Sequence, residues 1–165
     1  MNARLKLIER YEAGGAFLVA AISLLEPEDA ARPVGPGTWS IAEIVVHLLQ
    51  SDMVDQDRLE RVLTEESPTL AEFDPNARLA RFPAAKLPIT DAADLFNAAR
   101  RWTAARLRLA ADADFARAGT LGDRGRVTLA ELLSSGCNHL DHHLRFLYAK
   151  RGAIGRGIPP RFTSN

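Results

Sequence analysis

The amino-acid sequence predicts an all-α protein, a four-helix bundle with long connecting loops. Three observations carry this. Four long segments place apolar side chains at steps of three and four. Two of them open with a capping box, in which a hydroxyl residue and a glutamate three positions later satisfy each other's backbone N–H groups: Ser40 with Glu43, and Thr128 with Glu131. No segment shows the period-two alternation of a half-buried strand.

The 165 residues suit one domain, residues 1–152, followed by a loose or surface-packed tail over 153–165 that contains Pro159 and Pro160. Hydrophobic residues make up 47%, which argues against disorder. The 21 basic and 21 acidic residues cancel, and there is no basic stripe, so neither a nucleic acid nor an anionic membrane is expected as partner. The single cysteine, Cys137, cannot form an internal disulfide, and the chain reads as cytoplasmic. Charges at Arg4, Lys6, Glu9 and Arg10 are unlike a secretory leader, and the longest low-charge apolar run, residues 13–25, is too short to span a bilayer.

The first helix is expected over residues 3–25, with Leu5, Ile8, Tyr11, Gly15, Leu18, Ile22 and Leu25 on one face. Gly14 and Gly15 inside it mark either a close helix crossing or a kink. A breaker-rich loop follows, with Pro27, Pro33, Gly35, Pro36 and Gly37. The second helix starts at Ser40 and carries the stripe Ile41, Ile44, Val45, Leu48, Leu59, Val62 and Leu63. Asp52 and Asp55 interrupt that stripe, which implies either a polar pocket or an early turn outward to solvent. Residues 67–90 form a long connection with four prolines and one expected helical turn near 77–82; a loop of this length is uncommon in a compact domain unless it is functional or partly structured. The third helix is expected from Thr90 or Asp91 to about residue 113, with Leu95, Ala99, Trp102, Arg106 and Leu109 inward. Arg106 would hold a carboxylate substrate or pair with Asp52 or Asp55. Residues 114–126 form the last long loop. The fourth helix runs from Thr128 through Leu129, Leu132, Leu133, Gly136, Leu140, Leu144 and Leu147 to Lys150 and Arg151, and Gly152 stops it.

Three of the four histidines lie in this last helix. His139 and His143 are one turn apart on one face, a spacing at which two imidazoles can share an ion. His142 points elsewhere, toward solvent or another subunit. His47 falls on a flank of the second helix and reaches the pair only if that flank faces the fourth helix. Spacing alone leaves ordinary hydrogen-bonded histidines as the competing account. Cys137 lies on the far side of the helix from His139 and reads as a buried thiol. Trp39 and Trp102 read as core.

Trp39, Ser40, Glu43 and His47, together with Gly125, Thr128, Leu129, Glu131, Leu132, Leu133, His139 and His143, give the chain a resemblance to the DinB/YfiT-like superfamily. The resemblance implies a bundle of up-down-down-up type and a divalent metal held by His47, His139 and His143. Neutral imidazoles suit Zn²⁺ or Ni²⁺, with Mn²⁺ and Fe²⁺ also compatible, and three ligands leave positions open for chemistry. It further implies a metal-dependent enzyme that activates a thiol or water, a thiol S-transferase or a hydrolase, with Asp52 or Asp55 moving a proton and a small-molecule substrate, such as a low-molecular-weight thiol, as partner. The alternative is a non-catalytic metal-binding or stress-related interaction protein. Apolar flanks at Phe96 and Trp102 point to a homodimer, a state the resemblance also implies.

Overall fold

The computed structural model describes residues 2–164. Four long helices make the bundle: α1 (Ala3–Ile22), α3 (Ile41–Thr64), α5 (Ile89–Leu109) and α6 (Leu129–Ala153). Two short helices, α2 (Pro27–Ala31) and α4 (Pro75–Arg81), sit in the connections. α1 packs on α5 and α6, and α3 packs on the same two, so α1 and α3 are diagonal partners. Residue pairs fix the directions. Gly14 meets Arg100 while Arg4 donates to the Ala110 carbonyl, so α1 and α5 are antiparallel. Tyr11 meets Gly136 and the Arg151 guanidinium reaches the Ala21 carbonyl, so α1 and α6 are parallel. α3 opposes α6 and runs with α5, which gives the up-down-down-up order.

Both capping boxes form as expected. Ser40 Oγ accepts from Glu43 N at 3.2 Å and Glu43 returns a carboxylate to Ser40 N at 2.7 Å; Thr128 and Glu131 do the same at the head of α6. The first half of α3 is buried almost all round, because α2, α4 and a 3₁₀ turn at Ala84–Lys86 cover its outer side. That wide burial places His47 inside the bundle although it lies off the main stripe.

Two expectations change. The inward face of α5 is Ala93, Phe96, Arg100, Thr103, Ala104 and Leu107, roughly one residue round from the face read from the sequence. Trp102 is 65% exposed, Leu95 and Leu109 face outward, and Arg106 forms a surface ion pair with Glu60. The last loop contains a short antiparallel hairpin, β1 (Ala118–Thr120) and β2 (Arg126–Thr128). The 67–88 connection is tied to this hairpin: Leu70 N donates to Thr120 O and Thr120 N to Pro68 O, both at 2.8 Å. The tail takes the surface-packed one of the two states expected for it, with Thr163 N and Oγ1 donating to Asp141 at 2.6 and 2.8 Å and Phe162 packing on Tyr148.

Gly14 and Gly15 mark a close crossing. A Cβ on Gly15 would stand 2.8 Å from Asn97 Cα and 2.5 Å from its Oδ1. Backbone cannot yield as a side chain can, so Gly15→Ala is expected to cost about 1–3 kcal/mol. Gly152→Ala, whose Cβ meets nothing, should be neutral or slightly stabilising. Chemical denaturation of the two variants checks this; equal midpoints would mean that α1 and α5 pack less closely than described.

Candidate metal centre

His47 projects from α3, and His139 and His143 from one face of α6. The antiparallel packing of these helices brings the three rings together, with centroids 4.6 to 5.0 Å apart. One ring nitrogen from each lies within 4.8 Å of the others. His47 Nε2 and His139 Nε2 face each other at 3.0 Å. Two tetrahedral ligands about 2.1 Å from a shared zinc stand roughly 3.4 Å apart, so the rings are near ligating separation and the widest pair needs a small inward turn.

Ser51 sets the His139 ring. Its hydroxyl donates to the Leu48 carbonyl at 3.2 Å and lies 3.4 Å from His139 Nδ1. An Nδ1–H directed at that oxygen leaves Nε2 as a lone pair, the form a metal needs. His47 Nδ1 is buried with no hydrogen-bond partner among the described residues. Trp39 closes one side, its ring 4.8 Å from His47 and stacked at 5.8 Å on His143.

Burial holds all three imidazoles neutral. It lowers His47 to about 4; burial and the neighbouring rings lower His139 to about 4 and His143 to about 3, from the usual 6.5. The donor set fits a divalent cation: three uncharged nitrogen ligands that converge, with two ring nitrogens facing each other at 3.0 Å.

The pH dependence follows. The unfolded chain takes up protons on these histidines near pH 6.5, the folded site only near 4 and below. Stability of the metal-free protein is therefore full above 6.5, falls as pH drops through that window, and levels off below the folded values. Bound metal is expected to survive dialysis at pH 5.5 and to leave near pH 4, measured as metal retained per chain; release beginning near pH 6.5 would mean the rings are solvated.

The centre opens into a cavity of about 400 Å³. His47, Ser51, Asp55, Ser135 and His139 line it from the helices, and Glu72, Phe73, Leu121, Asp123 and Arg124 from the two long connections. Of the two acids expected to serve chemistry, Asp55 is on this wall. Arg58 Nη1 donates to it at 2.8 Å and is itself held by the Ala71 carbonyl. Burial raises the Asp55 carboxyl, and Arg58 opposes that. Asp52 is not on the wall. It is 2% exposed, and its oxygens are taken by Arg100 Nε and Gln56 Nε2, each at 2.9 Å. Arg100 thus fills the role the sequence reading weighed for Arg106. Its signal was present in the spacing of Ala93, Phe96, Arg100, Thr103 and Leu107. The hairpin residues and Glu72 carried no sequence signal. Cys137 is fully buried and its thiol is pushed up to about 11 by burial, so it stays protonated. His142 is exposed.

The DinB superfamily model matches residues 10–147, most of the chain. The protein belongs to the DinB superfamily. Among similar DinB-type chains, one from Bacillus licheniformis named "putative metal-dependent hydrolase" is 30% identical over 141 residues, 84% of this chain and 80% of its own. One of the same name from Bacillus cereus is 25% identical over 135 residues, 81% of this chain and 77% of the relative. The solved structure of YfiT from Bacillus subtilis, described as a probable metal-dependent hydrolase with an unusual four-helix bundle topology, matches with a TM-score of 0.78 at 23% identity, covering 92% of this chain and 90% of that one. That likeness establishes the bundle as the shared fold. The superfamily membership and the convergent histidines together point to a divalent metal.

Proposed function

We propose that this protein is a metal-dependent hydrolase whose ion is held by His47, His139 and His143. The observation that carries the reading is the meeting of three neutral imidazoles, two of which line a cavity that also contains a carboxylate. A divalent ion held there would supply Lewis acidity for ionising a small nucleophile near neutral pH. Ser51 fixes the ring of one ligand, and Trp39 and Phe73 limit water on the flanks. Arg58 orients Asp55, which accepts the proton of the attacking water and returns it to the leaving group.

Transfer of a low-molecular-weight thiol is the second reading, and one observation favours it. Glu72, Asp123 and Arg124 line the cavity and form no ion pair among the described residues. Acids and an arginine on one wall complement the ammonium and carboxylate of an amphoteric thiol. A panel of activated esters and amides, run beside monochlorobimane with small thiols, each with and without chelator, separates the two. Chelator-sensitive ester or amide cleavage supports hydrolysis, chelator-sensitive conjugation supports transfer, and metal-free protein turning over either at the full rate would sink both. Asp55→Asn is expected to lower kcat about 10²–10⁴-fold at unchanged metal content; an unchanged kcat would remove the acid from the mechanism.

A further inference from the structure

The three rings do not all face the same space. His47 and His139 border the charged cavity, whereas His143 borders a separate slot of about 220 Å³ that Trp39 also lines. The slot is lined by Thr38, Trp39, Ile44, His143, Phe146 and Lys150. Its surface is almost wholly apolar. The one cation on it is turned away: Lys150 Nζ donates to the Val34 carbonyl at 3.3 Å and to Thr38 Oγ1 at 3.0 Å, which leaves its methylene stem along the wall. Ile44 is buried at the base, the Trp39 ring stacks on His143, and Phe146, 51% exposed, forms the outer lip.

We infer that this slot is a binding site for one apolar group of the substrate, a single aromatic ring or a short branched alkyl chain, held against His143 while the polar remainder lies in the charged cavity. The inference rests on the hydrolase or transferase reading for what the group is attached to, but its binding does not require metal or turnover. Size agrees: a cavity of about 150 Å³ accepts benzene, and this one is somewhat larger. Chemistry agrees, since an almost wholly apolar lining rewards apolar surface and penalises a charge. Position agrees as well, because a group seated there touches His143, whose ring centroid lies 4.6 Å from those of both His47 and His139. The substrate class that follows is a small molecule with an apolar group on one side of its reacting atom and a charged or strongly polar part on the other.

Iodobenzene is the probe. In Trp102→Phe protein, Trp39 is the only tryptophan, and heavy-atom quenching reports contact with its ring. Saturable quenching is expected, equal in zinc-loaded and metal-free protein. Phe146→Ala, at a half-exposed site, should weaken it about tenfold, and Phe146→Leu should restore most of it. An anomalous iodine peak between Trp39, Ile44 and Phe146 in a soaked crystal would locate the probe. Non-saturable quenching that is identical in all three proteins, an iodine peak elsewhere, or a second copy of the chain covering Phe146 in solution would each overturn the inference. Probe binding with no turnover of any ester, amide or thiol acceptor would count against the proposed function alone, and turnover without probe binding against the slot alone.

Discussion

His143→Ala is expected to strip the protein of bound metal, while His142→Ala leaves metal content close to wild type. The two positions are adjacent in sequence, and a single helical step of about 100° separates a ring in the cluster from one in solvent. Loss of a mere hydrogen-bond partner of a metal ligand typically weakens binding about 10–100-fold; loss of one of three ligands should exceed that, so a fall of more than about 100-fold in zinc affinity is expected. His142 touches the cluster only through the edge of its ring, 5.1 Å from the His143 centroid, and its other neighbour is Phe146. Elemental analysis of purified protein, followed by competition with a chromophoric chelator, gives both numbers. Equal losses in the two variants would mean the inward face of α6 is not the one described.

The second large effect lies behind the site. Arg100 and Asp52 are each 2% exposed and form an ion pair across α5 and α3. The guanidinium also donates to the Gly136 carbonyl at 3.1 Å and lies over the rings of Tyr11 and Phe96 at 4.4 and 4.3 Å. One side chain therefore contacts all three other long helices. Arg100→Met removes the one cation paired with the buried carboxylate among the described residues and should destabilise the fold by about 3–5 kcal/mol. The paired change Arg100→Met with Asp52→Leu removes both charges and should recover most of that loss, because two well-solvated ions no longer have to be buried. Urea denaturation of the wild type, the single variants and the double variant gives the coupling directly. A single variant as stable as wild type, or a double variant worse than the sum of the singles, would show that Asp52 is compensated by something other than Arg100.

The same residue explains where sequence reasoning succeeded and where it slipped. The starts of α3 and α6 were legible because a capping box is local: Ser40 with Glu43 and Thr128 with Glu131 lie within one turn. The histidine pair of α6 was legible for the same reason. The face of α5 was not. Large apolar residues ordinarily mark the inward side, but in α5 Leu95, Trp102 and Leu109 are exposed, and the buried positions mix Phe96 and Leu107 with Ala93, Ala104, Thr103 and Arg100. The arginine is tolerated because Gly14 of α1 leaves room for it and Asp52 waits opposite it. Neither fact is visible within α5 itself. Likewise Asp52 and Asp55 looked equivalent along the stripe, yet one closes a buried ion pair and the other reaches the cavity. The β1–β2 hairpin escaped because strands of three residues are too short to display alternation.

The three imidazoles stand entirely on α3 and α6, yet half of the chamber above them is furnished by connecting segments, which the backbone bonds of Pro68 and Leu70 to Thr120 weld into a single panel. Gripping an ion and choosing a guest are thereby entrusted to different stretches of polypeptide. Residues 67–88 and 118–128 could be exchanged together for those of a cousin, handing over its appetite for substrates while the inherited grip on the cation stayed as it was.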